Sequence, residues 1–134
     1  MMNESETMQT LMIDNGSDML MAGFAGEEAP RSVFPSIVGR SKCIAGCVSM
    51  KKHDLYIGVK AYNIAAILDL QYPIESGIIT NWACMEMIWH HIFHNELSID
   101  PTEHRILLTE APMNPMSKRE KMIQLMIETF DVPC

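Results

Sequence analysis

Leu11, Met12 and Ile13 form an apolar run, Asp14-Asn15-Gly16-Ser17 interrupts it, and Met19, Leu20 and Met21 resume it. This pattern predicts a hairpin with strands over 10–14 and 19–24. Asn-Gly between apolar runs is the strongest short-range hairpin signal, because both residues tolerate positive φ. Val33-Phe34 and Ile37-Val38 read as short strands around Pro35. Residues 58–66 read as one helical segment and Ile67 to Leu70 as a short strand, with Pro73 marking a crossing back to the main body. Trp82 to Glu96 has the spacing of an amphipathic helix: Met85, Ile88, Trp89, Ile92 and Phe93 make its core stripe and Asn81 its N-cap. Ile106 to Thr109 reads as a buried strand. Ser117-x-x-Glu120 is a capping-box pattern opening a helix to about Thr129. Met122, Met126 and Phe130 share one face of that helix with Ile123 and Ile127 beside them, so it reads as broadly buried. Pro133 ends it. Residues 1–9 are polar and read as disordered. Residues 41–54, with Lys42, Lys51 and Lys52, read as a mobile loop. There is no internal repeat and no low-complexity tract.

Composition narrows the class. At 134 residues, 48% hydrophobic and 20% charged, the chain reads as one soluble globular domain. A net charge of −7 argues against a nucleic-acid surface. No apolar run is long enough to span a bilayer. Glu4 and Glu6 stand where a secretory signal would be basic. A cytosolic chain with reduced cysteines is therefore expected, with no membrane or nucleic-acid partner. Thirteen methionines point to a loosely specified core, since Met fills irregular gaps.

The turn at Asp14 to Ser17 carries the main candidate chemistry. Tight turns aim backbone N–H groups into concave arrays that hold anions. A carboxylate at the entrance and a hydroxyl inside suit Mg²⁺ and phosphate. A plain surface hairpin is the competing reading. Glu86, His90 and His94 are spaced four apart, with His91 and His104 nearby in sequence. Helical i, i+4 histidines can ligate Zn²⁺, but the HExxH order is absent and a polar helix face is the favoured reading. Cys43-x-x-x-Cys47 falls in the mobile-loop segment, with Cys84 and Cys134 elsewhere, and no C-x-x-C pair suggests a zinc knuckle or redox motif. Thiols near lysines are oxidation-prone, yet drift in a tolerant loop is the simpler reading. Glu110, Glu120, Glu128 and Asp131 read as solvated faces and helix ends rather than a catalytic pair.

Longer motifs add a family. Ala22 to Arg40 (AGFAGEEAPRSVFPSIVGR), Tyr72 to Trp82 (YPIESGIITNW), Glu86 to His91, Asn95-Glu-Leu97, Leu107 to Pro115 (LLTEAPMNP) and Arg119-Glu-Lys-Met122 closely resemble actin, in the family's order and without an evident gap. The resemblance implies an α/β fold with a mixed sheet: a partial actin-like ATPase domain of ribonuclease-H-like type, lacking the C-terminal half. It further implies that residues 1–35 and 73–134 form part of the first actin subdomain. Residues 36–72 would be the second subdomain, and 41–54 its loop for binding a neighbouring subunit.

The resemblance also assigns roles for Mg·ATP. Asp14 would hold the metal through water, and Gly16, Ser17 and Met19 would contact phosphates. Two departures stand against this. Asp18 replaces a glycine and Met21 replaces a phosphate-binding lysine, adding one negative charge and removing one positive. Two unit charges at 4 Å interact by ~4 kcal/mol at an effective dielectric of 20, a figure that water and metal reduce. Aspartate tolerates left-handed backbone angles, so the expectation is a surviving hairpin with a damaged site and no useful ATP affinity. Ser76 replaces a histidine that senses the nucleotide in actins. The residues that position water and the second phosphate loop lie, in the family, beyond the stretch matched here, so a non-enzyme is expected. The leading expectation is an actin-like structural protein of the cytoplasmic cytoskeleton, associating with actin filaments or monomers or with actin-binding proteins. The alternatives are a non-functional, truncated or pseudogene-derived product, and a weak ATP-binding half-site that needs a partner chain. From the family's topology, the strand at 106–109 should carry an unpaired edge, which favours association.

Overall fold

The computed structural model describes residues 8–41 and 55–133; the loop segment from 42 to 54, with Cys43 and Cys47, lies outside the described residues, as do residues 1–7 and Cys134. In chain order the elements are β1 (Thr10–Asp14), β2 (Met19–Phe24), β3 (Ser32–Pro35), β4 (Val38–Ser41), β5 (Leu55–Ile57), α1 (Val59–Asn63), a 3₁₀ turn (Ala65–Ile67) and β6 (Leu68–Gln71). A short hairpin of β7 (Ile74–Glu75) and β8 (Ile78–Ile79) follows. Then come α2 (Trp82–His91), a π turn (Ile92–Glu96), a 3₁₀ turn (Pro101–Glu103), β9 (Arg105–Leu108) and α3 (Met116–Glu128).

The hairpin predicted from the apolar runs forms over the predicted residues, pairing Leu11 with Phe24 and Asp14 with Met21. It lies inside a four-stranded mixed sheet of order β3-β2-β1-β9. β9 runs parallel to β1, with Ile13 opposite Leu108. Parallel neighbours require a long crossover, and the chain from β2 through α2 supplies it. A second, antiparallel sheet has the order β5-β4-β6. The β7–β8 turn places Ser76 at φ 51° and Gly77 at φ 79°, the left-handed pair that a two-residue hairpin requires.

Side chains alternate across the main sheet, as pleating demands. Leu11, Ile13, Leu20 and Phe34 point inward and are buried in one core with Met85, Ile88, Trp89, Ile92 and Phe93 of α2 and its π turn. Met122 and Met126 of α3, and Phe130 just beyond its end, join the same core, with Phe93 and Phe130 meeting edge to face at 5.1 Å. The predicted stripe of α2 is thus the face that packs. Asn81 caps the helix, its side chain accepting from the Cys84 N–H at 3.1 Å. The opposite sheet face exposes Met12, Met19, Met21, Val33 and Leu107.

Four expectations change. The α-helix stops at His91 and the chain continues as a π turn, closed by the Leu97 N–H donating to the Ile92 carbonyl at 2.8 Å. The wider turn keeps Ile92, Phe93 and Leu97 all buried. The strand read as buried from its composition has Ile106 and Leu108 half-buried and Leu107 exposed, because among the described residues only β1 pairs with it, which leaves the unpaired edge that the family's topology implies. The capping box is not used: α3 begins at Met116 after Pro115, and the Pro115 carbonyl accepts from Lys118 and Arg119. Proline's fixed φ starts the helix before Ser117 can cap it. Ile123 and Ile127 lie exposed, since α3 packs on one side only.

Candidate functional site

The turn between β1 and β2 spans residues 15–18, and the reason for its glycine differs from the expected one. Neither Asn15 nor Gly16 takes a positive φ, and neither does Asp18. A four-residue connection does not need the left-handed pair of a two-residue hairpin. Gly16 is required by crowding instead. A Cβ there would lie 2.1 Å from the Met19 carbonyl oxygen, closer than any contact allows.

The turn is fastened from four distant places. The Asn15 N–H donates to Thr109 Oγ1 at 2.8 Å, and that hydroxyl donates onward to Asp14 Oδ1 at 2.9 Å. The Asn15 side chain donates to the Thr109 carbonyl at 3.2 Å and accepts from the buried Trp89 indole at 3.3 Å. Ser36 donates its hydroxyl to the Gly16 carbonyl at 2.6 Å and its N–H to the Asp18 carbonyl at 3.0 Å. The Gly77 N–H of the β7–β8 turn donates to Ser17 Oγ at 2.7 Å. Thr109, Ser36, Asn15, Gly77 and Trp89 all shape the site, and none was named from the sequence as a site residue. Thr109 stands in a recognised motif, but its role arises only when β9 pairs with β1.

Polar groups are unevenly committed. The Gly16 N–H turns back to the Asp14 carbonyl at 3.1 Å. Among the described residues, no acceptor stands against the N–H groups of Ser17 and Asp18. Ser17 Oγ accepts from Gly77, so its own proton is free to donate. Two N–H groups and one hydroxyl can therefore meet an anion. Asp14, half-buried at the strand end, can hold a hydrated divalent ion.

The charges oppose the donors. Asp14 and Met21 are directly paired residues, so their side chains share the outer sheet face. A cation at position 21 would stand beside the Asp14 carboxylate; a thioether stands there instead. A cavity of about 260 Å³ opens here, lined by Met12, Asp14, Met21 and Thr109 with Glu27 and Glu28 at its rim. Arg31 is committed elsewhere: it holds both Glu27 oxygens at 3.0 and 2.7 Å and covers the Phe24 ring at 4.5 Å. That guanidinium keeps the Glu27 carboxyl below the usual carboxylate range. Met19, exposed on the same face, offers the turn only its backbone. Among the described residues no lysine or arginine contacts the turn. The donor set fits one phosphate group, but the charge set does not fit a metal-bound polyphosphate.

No helix among the described residues is long and apolar enough to cross a membrane. A family model described as Actin matches residues 5–134, a span that takes in every element from β1 to α3.

Proposed function

The chain belongs to the actin family, and on that premise we propose that it is an actin-like structural component of the cytoplasmic cytoskeleton that associates with actin filaments or monomers and does not hydrolyse ATP. Family membership supports the structural role. The pairing of Asp14 with Met21, with Asp18 added to the turn, supports the loss of nucleotide chemistry. A lysine at position 21 would attract a phosphate charge 4 Å away by about 1 kcal/mol in water-like surroundings and ~4 kcal/mol at a dielectric of 20. Each 1.4 kcal/mol is about tenfold in affinity, so this one position is worth roughly one to three decades.

The test is calorimetric titration of the chain with Mg·ATP beside an Asp18→Gly, Met21→Lys double variant. The unmodified chain should show no saturable binding below the millimolar range. Micromolar binding would refute the proposal. A gain of measurable affinity in the double variant would show that charge at the turn is the deciding defect. Co-sedimentation with actin filaments tests the structural half, and recovery in the pellet no greater than that of a non-binding control would remove it.

A weak ATP half-site is the second reading. The free Ser17 hydroxyl proton and the open N–H groups of Ser17 and Asp18 favour it. Binding that appears only when a partner chain is added would establish it in place of the first.

A further inference from the structure

A cavity of about 750 Å³ lies away from the turn, beside the C-terminal end of α2. Glu86, His90 and His94 line it along one helix face, with Lys60, His91 and Asp100 around them. The four histidines nearest this region differ in their commitments. His91 is tied on both ring nitrogens, to Glu96 at 3.0 Å and to the Asn95 amide at 3.0 Å. His104 meets the Gln9 carbonyl at 2.9 Å. His90 and His94 make no hydrogen bond among the described residues, and both are exposed. Their rings face each other with centroids 4.2 Å apart and a tilt of 48°.

We propose that His90 and His94 form a two-imidazole site for a borderline divalent transition ion, Cu²⁺, Ni²⁺ or Zn²⁺, with water filling the remaining positions. Imidazole suits these ions, whereas Mg²⁺ and Ca²⁺ select oxygen ligands. Two imidazoles bound side by side to an ion at about 2.0 Å per nitrogen would stand roughly 5 Å apart, so a small rotation of the present rings reaches chelating geometry. The junction between α2 and the π turn falls between the two residues, so the pair spans a wider turn than a regular helix provides. Among the described residues no cluster of three or more histidines, cysteines or carboxylates is placed to hold a metal. The site is therefore open and exchangeable rather than a closed structural centre. Glu86 and Asp100, which line the same cavity, favour a cation, while Lys60 opposes one.

The experiment titrates the whole chain with Ni²⁺ and follows paramagnetic broadening of the imidazole C–H resonances. His90 and His94 should broaden first and together. Zn²⁺ and Cu²⁺ affinities are then measured for the unmodified chain and for His94→Tyr, His90→Gln and, as a control, His104→Gln. Either of the first two should weaken binding at least as much as the ~10–100-fold that loss of an outer partner costs, and the control should bind as before. Affinity should follow the order Mn²⁺ < Co²⁺ < Ni²⁺ < Cu²⁺ > Zn²⁺, with no response to Mg²⁺. Broadening that begins at His91, at His104 or near the cysteines would overturn the proposal. So would unchanged affinity in either variant. The resonance pattern of the unmodified chain decides the matter even where a variant folds poorly.

Discussion

Replacing Thr109 with valine isolates the linkage that holds the turn to the sheet. Valine matches the shape but lacks the hydroxyl that accepts from the Asn15 N–H at 2.8 Å and donates to Asp14 at 2.9 Å. Asn15 is 7% exposed, so its orphaned N–H has little access to water. A buried donor left without a partner costs about 1–3 kcal/mol. The lost bond to Asp14 adds less, because solvent can replace it. We expect a net destabilisation of about 2 kcal/mol, which at a urea dependence of about 2 kcal/mol per molar lowers the unfolding midpoint by about 1 M. Tryptophan fluorescence is a suitable reading, since the Trp89 indole donates to the Asn15 side chain and reports on the turn. Thr109→Ser restores the hydroxyl and should recover most of the loss. A Thr109→Val midpoint equal to that of the unmodified chain, or an equal loss in Thr109→Ser, would refute the reasoning.

Gly16→Ala should distort the turn and cost more than ~2 kcal/mol, because the new methyl would meet the Met19 carbonyl at 2.1 Å; a fully native urea midpoint would contradict this. Glu110 is held below the usual carboxylate range by the Arg119 guanidinium and then by the Asn114 amide. Its contribution is therefore present above the ordinary carboxylate value and lost as pH falls through the lowered one. Glu110→Gln should flatten the decline in melting temperature between about pH 5 and pH 3 by a small amount, and an unchanged acid slope would count against the pairing. The β9 edge and the exposed Leu107 and Ile123 should promote self-association; sedimentation velocity should show Leu107→Lys with Ile123→Lys shifted towards monomer, and an unaltered distribution would exclude these surfaces.

The elements whose residues bury one face were readable from pattern. The hairpin strands, the α2 stripe and the Asn81 cap follow from local alternation, period and capping chemistry, and each appears where it was expected. What escaped was set at a distance. β9 looked buried from its composition, and only the family's topology pointed to its unpaired edge, because burial depends on how many strands flank it. Ile123 and Ile127 looked like core because periodicity says which residues share a face, not whether anything covers it. Gly16 was correctly singled out, but for conformational freedom when the cause is a carbonyl in its way. Asp14 and Ser17 could be named from the turn alone. Thr109, Ser36 and Gly77 could not, since each reaches the turn through tertiary pairing. The isolation of His90 and His94 from hydrogen-bond partners was equally invisible, because spacing does not reveal which of several histidines are already engaged.

The fastening of the turn also orders the folding of the chain. Its clamps span 20, 60, 74 and 94 residues of sequence, so a chain holding only the hairpin gains none of them. Contacts of such separation form only after the intervening loops have closed, and their closure entropy comes first. The β1–β2 pairing can nucleate early, while the loop at its tip acquires its final shape only when β9, the β3–β4 link and the β7–β8 hairpin have arrived. Thr109→Val should accordingly speed unfolding and leave the folding rate nearly untouched. The concave face that would meet an anion is thus the last part of the hairpin to be made and the first to be lost.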